Sequence, residues 1–296
     1  MTTENNEITI PTSTAIMARI PIFEPTIKAK YAENITHDEN GVKLTKEITR
    51  VVDENERKVE SIYGTATITG RLGQNHANLL ESIMYNISDI LACDDSSMSV
   101  SVDPYKIRMS MGGGTKFSHA ELDILVKELM GVVVDIKFDD FRVRGHLIDS
   151  IINDEKSIDN KLFNISPDLN QKRSLWIVKI GIAYMQIMKH DNIKINRDPK
   201  LIANLKKGVS QAVARFCSTQ SNTPNGGWIL DNMIKCVGAV KIDENGKFDS
   251  VTLRNRRRDI RDDKEGMVKC GIILEGNRLF LKDSNKSNMT DKVKSV

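Results

Sequence analysis

Four arginines toward the C-terminal end of the chain, Arg254, Arg257, Arg258 and Arg261, recur at i, i+3, i+4 and i+7. At 100° per residue they fall within roughly 100° of arc, so a helix through them would carry one stripe of guanidinium groups. A guanidinium is a planar fork of donors that matches a guanine edge or a phosphate two bonds at a time, and a helix is the element that fits the major groove of duplex DNA. The chemistry offered is recognition of phosphates and base edges. Arg256 stands beside the stripe as a phosphate contact, and Arg278 and Lys282 follow where a hairpin would touch the nucleic-acid backbone. The competing reading pairs the arginines with Asp259, Asp262, Asp263 and Glu265 on a solvated face. Against it, the four arginines of the stripe, five with Arg256, stand within eight positions where lysine would serve solubility equally.

No catalytic constellation competes with the stripe. None of the five histidines is followed by His at i+2, as a metal-dependent nicking pair requires, and none begins H-x-x-R. Gly112, Gly113 and Gly114 fit neither G-x-x-x-x-G-K-[ST] nor G-x-G-x-x-G, and read as a turn. The pairs Asp94-Asp95, Asp139-Asp140 and Asp262-Asp263 read as solvated charge rather than metal ligands. Cys93, Cys217, Cys236 and Cys270 form no C-x-x-C and read as reduced thiols. No catalytic residue, metal or cofactor is expected.

The elements that must position the stripe repeat in order. In the first half, Gly64–Gly70 alternates like a strand, and Leu79, Leu80, Ile83, Ile87, Ile90 and Leu91 mark one face of a helix over 74–92. A short helix follows from Pro104, and Ser118 and Glu121 have the spacing of a capping box for a helix carrying Leu122, Leu125, Val126 and Leu129. Two β-rich runs, 132–138 and 142–152, flank a turn at Asp139 to Phe141. A stretch around Trp176 to Ile182 reads as strand. The second half opens with a helix over 198–218 and a short helix through Leu230, Met233, Ile234 and Val237. Then come a turn at Asp243–Gly246, a helix over 250–269 seated by Leu253, Ile260 and Met267, and a hairpin around Gly276-Asn277. Helix, helix, helix, hairpin is the winged-helix order in both halves. The expected architecture is α+β and helix-rich: two tandem winged-helix domains, 61–158 for dimerisation and backbone contact and 159–283 for reading DNA. A flexible, largely disordered N-terminal arm (1–60) and a disordered tail (284–296) flank them.

Composition fits this. The chain has 296 residues, 40% hydrophobic and 28% charged, with a net charge of only +3, so attraction to nucleic acid depends on where the charges sit. The first half's capped helix carries Glu121, Asp123 and Glu128 against Lys127 and nearby Lys116, and offers phosphate little grip. In the arm, the island Ile16, Met17, Ile20, Ile22 and Phe23 reads as a strand-like segment laid on the first domain's core, in preference to a short docking motif for a partner protein. No apolar run approaches the ~20 residues a membrane span needs, and no signal peptide is read at the N-terminus, so the expectation is a cytoplasmic protein.

On Asn225-Gly-Gly-Trp-Ile-Leu, Thr252-Leu-Arg-Asn-Arg-Arg-Arg-Asp-Ile-Arg-Asp-Asp, Gly271-Ile and the following hairpin, and more weakly on Ile68-Thr-Gly-Arg-Leu-Gly-Gln-Asn-His, the chain resembles iteron-binding plasmid replication initiators. The resemblance implies that Arg254, Arg257, Arg258 and Arg261 read repeated origin sites in double-stranded DNA. It also implies a homodimer in equilibrium with monomer, dimers repressing the chain's own gene, monomers opening the origin, and contacts with host replication proteins. A winged-helix transcriptional repressor shares the same motifs and is the alternative; a structural or partner-binding protein with no DNA role is the third reading, favoured if the arginine stripe is paired with acids.

Overall fold

The computed structural model describes residues 10–27, 56–94, 97–113, 116–154, 175–240 and 248–282. The expected turn at 243–246, the tail from Ser284 and the rest of the arm lie outside the described residues. The chain runs through β1 (Ser13–Thr14), α1 (Ala15–Arg19), β2 (Glu56–Ser61), β3 (Gly64–Thr69), α2 (Gln74–Tyr85), β4 (Ile87–Cys93), β5 (Met98–Val102), α3 (Pro104–Ser110) and α4 (His119–Gly131). It continues through β6 (Val133–Phe138), β7 (Phe141–His146), β8 (Ile148–Asp154), β9 (Leu175–Ile180), α5 (Ile182–His190), β10 (Lys194–Ile195), α6 (Lys200–Ala203) and α7 (Gly208–Ser218). The last part is β11 (Trp228–Ile229), α8 (Leu230–Cys236), α9 (Ser250–Asp262), α10 (Lys264–Lys269), β12 (Ile272–Glu275) and β13 (Arg278–Leu281). The fold is mixed α+β, with ten helices and four small antiparallel sheets among the described residues: β2-β3-β6-β7, β4-β5-β9-β8, β11-β13-β12 and β1-β10.

Local chemistry explains where elements begin. Pro104 starts α3 while the Asp103 carboxylate accepts from the Tyr105 N–H at 2.8 Å. Ser118 and Glu121 close the expected capping box, Ser118 Oγ accepting from Glu121 N at 3.1 Å and Glu121 Oε2 from Ser118 N at 2.9 Å.

Three helices depart from the expected bounds. The helix expected over 74–92 stops at Tyr85, because the Asn86 side chain donates to the Ser82 carbonyl (2.7 Å) and Ile87 turns into a strand paired with Val102. The helix expected over 198–218 is broken into α6 and α7. The Lys206 and Lys207 N–H groups are drawn to the Asp263 carboxylate (3.1 and 2.8 Å), and a Cβ on Gly208 would meet the Thr26 carbonyl carbon at 2.6 Å. That same buried Asp263 divides the helix expected over 250–269 into α9 and α10. The run 142–152 is two strands, β7 pairing with β6 and β8 with β9 in another sheet. Helix α5, which was not anticipated, packs on β7, Phe141 stacking on His190 at 4.0 Å.

Two apolar cores result. The first joins Ala66–Ile148 with Trp176–Met188, a stretch assigned from sequence to the second half, and with the island Ile16, Met17, Ile20, Ile22 and Phe23. The island is helix α1 and a following extended turn rather than the strand-like segment expected. The second core gathers α6 to α10 and the β12–β13 hairpin, from Ile202 to Leu279.

The contact between the cores is polar where α2 meets α7. Glu81, buried, accepts from Arg197 Nη2 at 2.5 Å and Arg215 Nε at 3.1 Å, while Arg215 also reaches Gln74 Oε1 at 2.6 Å and Asn78 donates to Gln211 Oε1 at 3.1 Å. The N-terminal segment lies across both cores. Arg19 donates to the Thr219 carbonyl at 2.9 Å, Glu24 N–H to the Leu72 carbonyl at 2.6 Å, and Pro21 packs on Gly238.

Candidate nucleic-acid interface

Helix α9 begins where the Asp249 carboxylate accepts from Val251 N–H at 3.0 Å. Buried Ile260 and half-buried Leu253 seat it on the second core, and Met267 on α10 continues the same line, the seating read from sequence. With that face fixed, the arginines at i, i+4 and i+7 from Arg254 turn outward, and Arg254, Arg258 and Arg261 are exposed.

The stripe is not uniform. Arg254 and Arg258 have no hydrogen-bond or ionic partner among the described residues. Arg257 is turned toward α8 and donates to both oxygens of Asp231, Nε and Nη2 each at 2.5 Å. That hydrogen bond holds the Asp231 carboxyl below its ordinary value and raises the Arg257 guanidinium. Arg261 Nη2 donates to Asn277 Oδ1 at 2.6 Å, tying α9 to the turn of the hairpin.

Arg278, at the start of β13, donates to the Gly226 carbonyl at 2.7 Å, and Lys282 is exposed at the hairpin's end. Gly227 requires its glycine: its φ is 76°, and a Cβ would meet the Phe280 ring at 2.7 Å. The structure places Arg256 elsewhere, on the flank facing Ala239, whose carbonyl accepts from Nε at 3.3 Å, with Asp259 3.5 Å away. It is not part of the outward group.

Asp259 and Asp263 are turned away from the stripe. Asp259 faces Arg256 and Lys207 (both 3.5 Å), and Asp263 is spent on the backbone at Lys206 and Lys207. The carboxylate that does engage it, Asp231, comes from a different helix 26 residues away. Sequence periodicity had no means of finding it, nor Asn277.

The corresponding surface of the first core differs. On α4, Lys127 pairs with Asp123 at 2.7 Å and Glu128 with His76 at 2.9 Å. Lys116, expected to lend this region positive charge, instead donates its ammonium to the Ala203 carbonyl on α6, with desolvation there lowering its pKa and nearby Asp263 opposing that. Among the described residues no cluster of three or more His, Cys, Asp or Glu could hold a metal, and no helix is long and apolar enough to cross a membrane.

Comparison with protein-family models, with curated proteins and with solved structures gives no match.

Proposed function

We propose that the chain binds duplex DNA in a sequence-dependent way through α9 and the β12–β13 hairpin, acting as a binding protein rather than a catalyst. The observation that carries this reading is the outward presentation of Arg254 and Arg258, unpaired among the described residues, on a helix whose opposite face is seated on a core. Unpaired guanidiniums on an exposed helix are available to base edges and phosphates. The order α7, β11, α8, α9, α10, β12, β13, with β11 pairing β13, supports a winged-helix domain in which α9 enters the major groove and the hairpin lies along the backbone. The acid-balanced α4 supports a supporting role for the first core, and strands β7 and β8, each at the end of a sheet, offer edges along which a second copy would pair. Taken with the resemblance to iteron-binding initiators, this favours binding at repeated origin sites to initiate plasmid replication, with host replication proteins as further partners. The test is enrichment from a random-sequence duplex pool with the full chain. Recovery of one recurring motif supports the reading, and a pool that stays random after repeated rounds overturns it.

A further inference from the structure

We infer that the pair Asp231–Arg257 is a positioning device that sets the angle of α9 against α8, and that Asp231 thereby contributes to sequence discrimination although it is an acid beside a DNA-binding surface; this rests on the reading of α9 as the reading helix. The geometry is two parallel bonds of 2.5 Å between a carboxylate in the first turn of α8 and a guanidinium in the middle of α9. A bidentate pair fixes direction as well as distance, which a single charge contact does not. Both side chains are about seven-tenths covered, so the pair is neither a mobile surface contact nor a sealed core element. Arg261 to Asn277 makes a second tie, from α9 to the hairpin turn one helical turn further along the same face, so α9 is fixed at two points. Beside these ties on the helix surface, Arg254 and Arg258 project outward without a partner among the described residues. The arginines of the stripe thus divide: Arg254 and Arg258 contact DNA, and Arg257 aims them.

Point-charge electrostatics and positioning make opposite predictions for Asp231. Removing an acid near phosphate strengthens binding to every duplex. Removing the partner that aims α9 lowers preference for the right sequence.

The experiment takes the full chain, the duplex enriched from a random pool by wild type, and a scrambled duplex of equal length and composition. The ratio of the two affinities is measured by fluorescence anisotropy for wild type, Asp231→Asn, and the exchanged pair Asp231→Arg with Arg257→Asp, with thermal unfolding of each as the check on folding. The expected result is a ratio lowered about tenfold in Asp231→Asn, while its affinity for the scrambled duplex is equal or higher, and a ratio substantially recovered in the exchanged pair. A ratio unchanged in Asp231→Asn, or a folded exchanged pair that recovers none of it, overturns the inference. A wild type that enriches no duplex overturns the DNA reading and this inference together, so the two failures are told apart.

Discussion

Replacing Glu81 by alanine tests whether the two cores are held as one body. Its carboxylate is the shared acceptor for Arg197 and Arg215, and the side chains of all three are between 4% and 6% exposed. Removing one partner of a buried ion pair typically costs about 3–5 kcal/mol, because the charge left behind has lost both its partner and its water. Here two guanidiniums are left behind, though Arg215 keeps Gln74 and Asn78 as acceptors and Arg197 keeps Ser218. The expectation is therefore a loss of about 3–5 kcal/mol for Glu81→Ala, and about 2–3 kcal/mol for Glu81→Gln, which retains an acceptor oxygen but not the charge. Urea unfolding reports it through two intrinsic probes, Trp176 in the first core and Trp228 packed on the second, read separately after Trp228→Phe or Trp176→Phe. Burial pushes the Glu81 carboxyl up, but Arg197 and Arg215 together hold it below its ordinary value. A depressed folded pKa contributes stability that is fully present above the unfolded value and is lost as pH falls through the folded one. The wild-type advantage over Glu81→Gln should accordingly be complete at neutral pH and shrink on acidification below the ordinary carboxylate range. A Glu81→Ala protein destabilised by less than about 1 kcal/mol would mean that water reaches the arginines and that the α2–α7 contact is not closed.

Other consequences follow from the same structure. Lys282→Ala should weaken binding to all duplexes about equally and flatten the dependence of log affinity on log salt by about 0.9, read by titration at several salt concentrations; a change confined to one sequence would contradict its role at the backbone. Gly227→Ala should lower the thermal midpoint by an amount corresponding to roughly 1–3 kcal/mol, since it places a methyl against Phe280 at a φ of 76°; an unchanged midpoint would refute the fit of that turn. Burial pushes the Cys217 thiol up to about 12 and Cys270 to about 11, whereas Cys93 is exposed. Iodoacetamide at pH 8 should thus label Cys93 in the folded chain and spare Cys217 and Cys270, as peptide mass spectrometry would show; early labelling of Cys217 would contradict the packing of α7.

Much of this arrangement can be read from sequence where the cause is local. Ser118 with Glu121, Pro104 after Asp103, and Gly276-Asn277 between apolar runs are each decided within a few residues, and the elements they start or turn are where they were expected. The stripe of α9 was legible for the same reason, being a matter of helical spacing. The parts that were not legible depend on distant partners. Ile87 and Ile90 continue the apolar face of α2, and only the pairing of β4 with β5 makes them strand. Asp263 reads as surface charge until its carboxylate is seen holding the Lys206 and Lys207 amides. The placement of Arg257 depended on Asp231, and that of Lys116 on a carbonyl of α6. The island at 16–23 was recognised as apolar, but its path across both cores depends on Thr219 and Leu72, far away in sequence.

The central claim, that α9 reads DNA through its unpaired arginines, is tested most directly by titrating the full chain and its Arg254→Ala, Arg258→Ala double variant against the enriched and the scrambled duplex. The account predicts a loss of roughly 2–6 kcal/mol on the enriched duplex, a smaller loss on the scrambled one, and an unchanged thermal midpoint, because neither side chain holds the fold. A folded double variant that binds the enriched duplex as tightly as wild type would place the reading surface elsewhere.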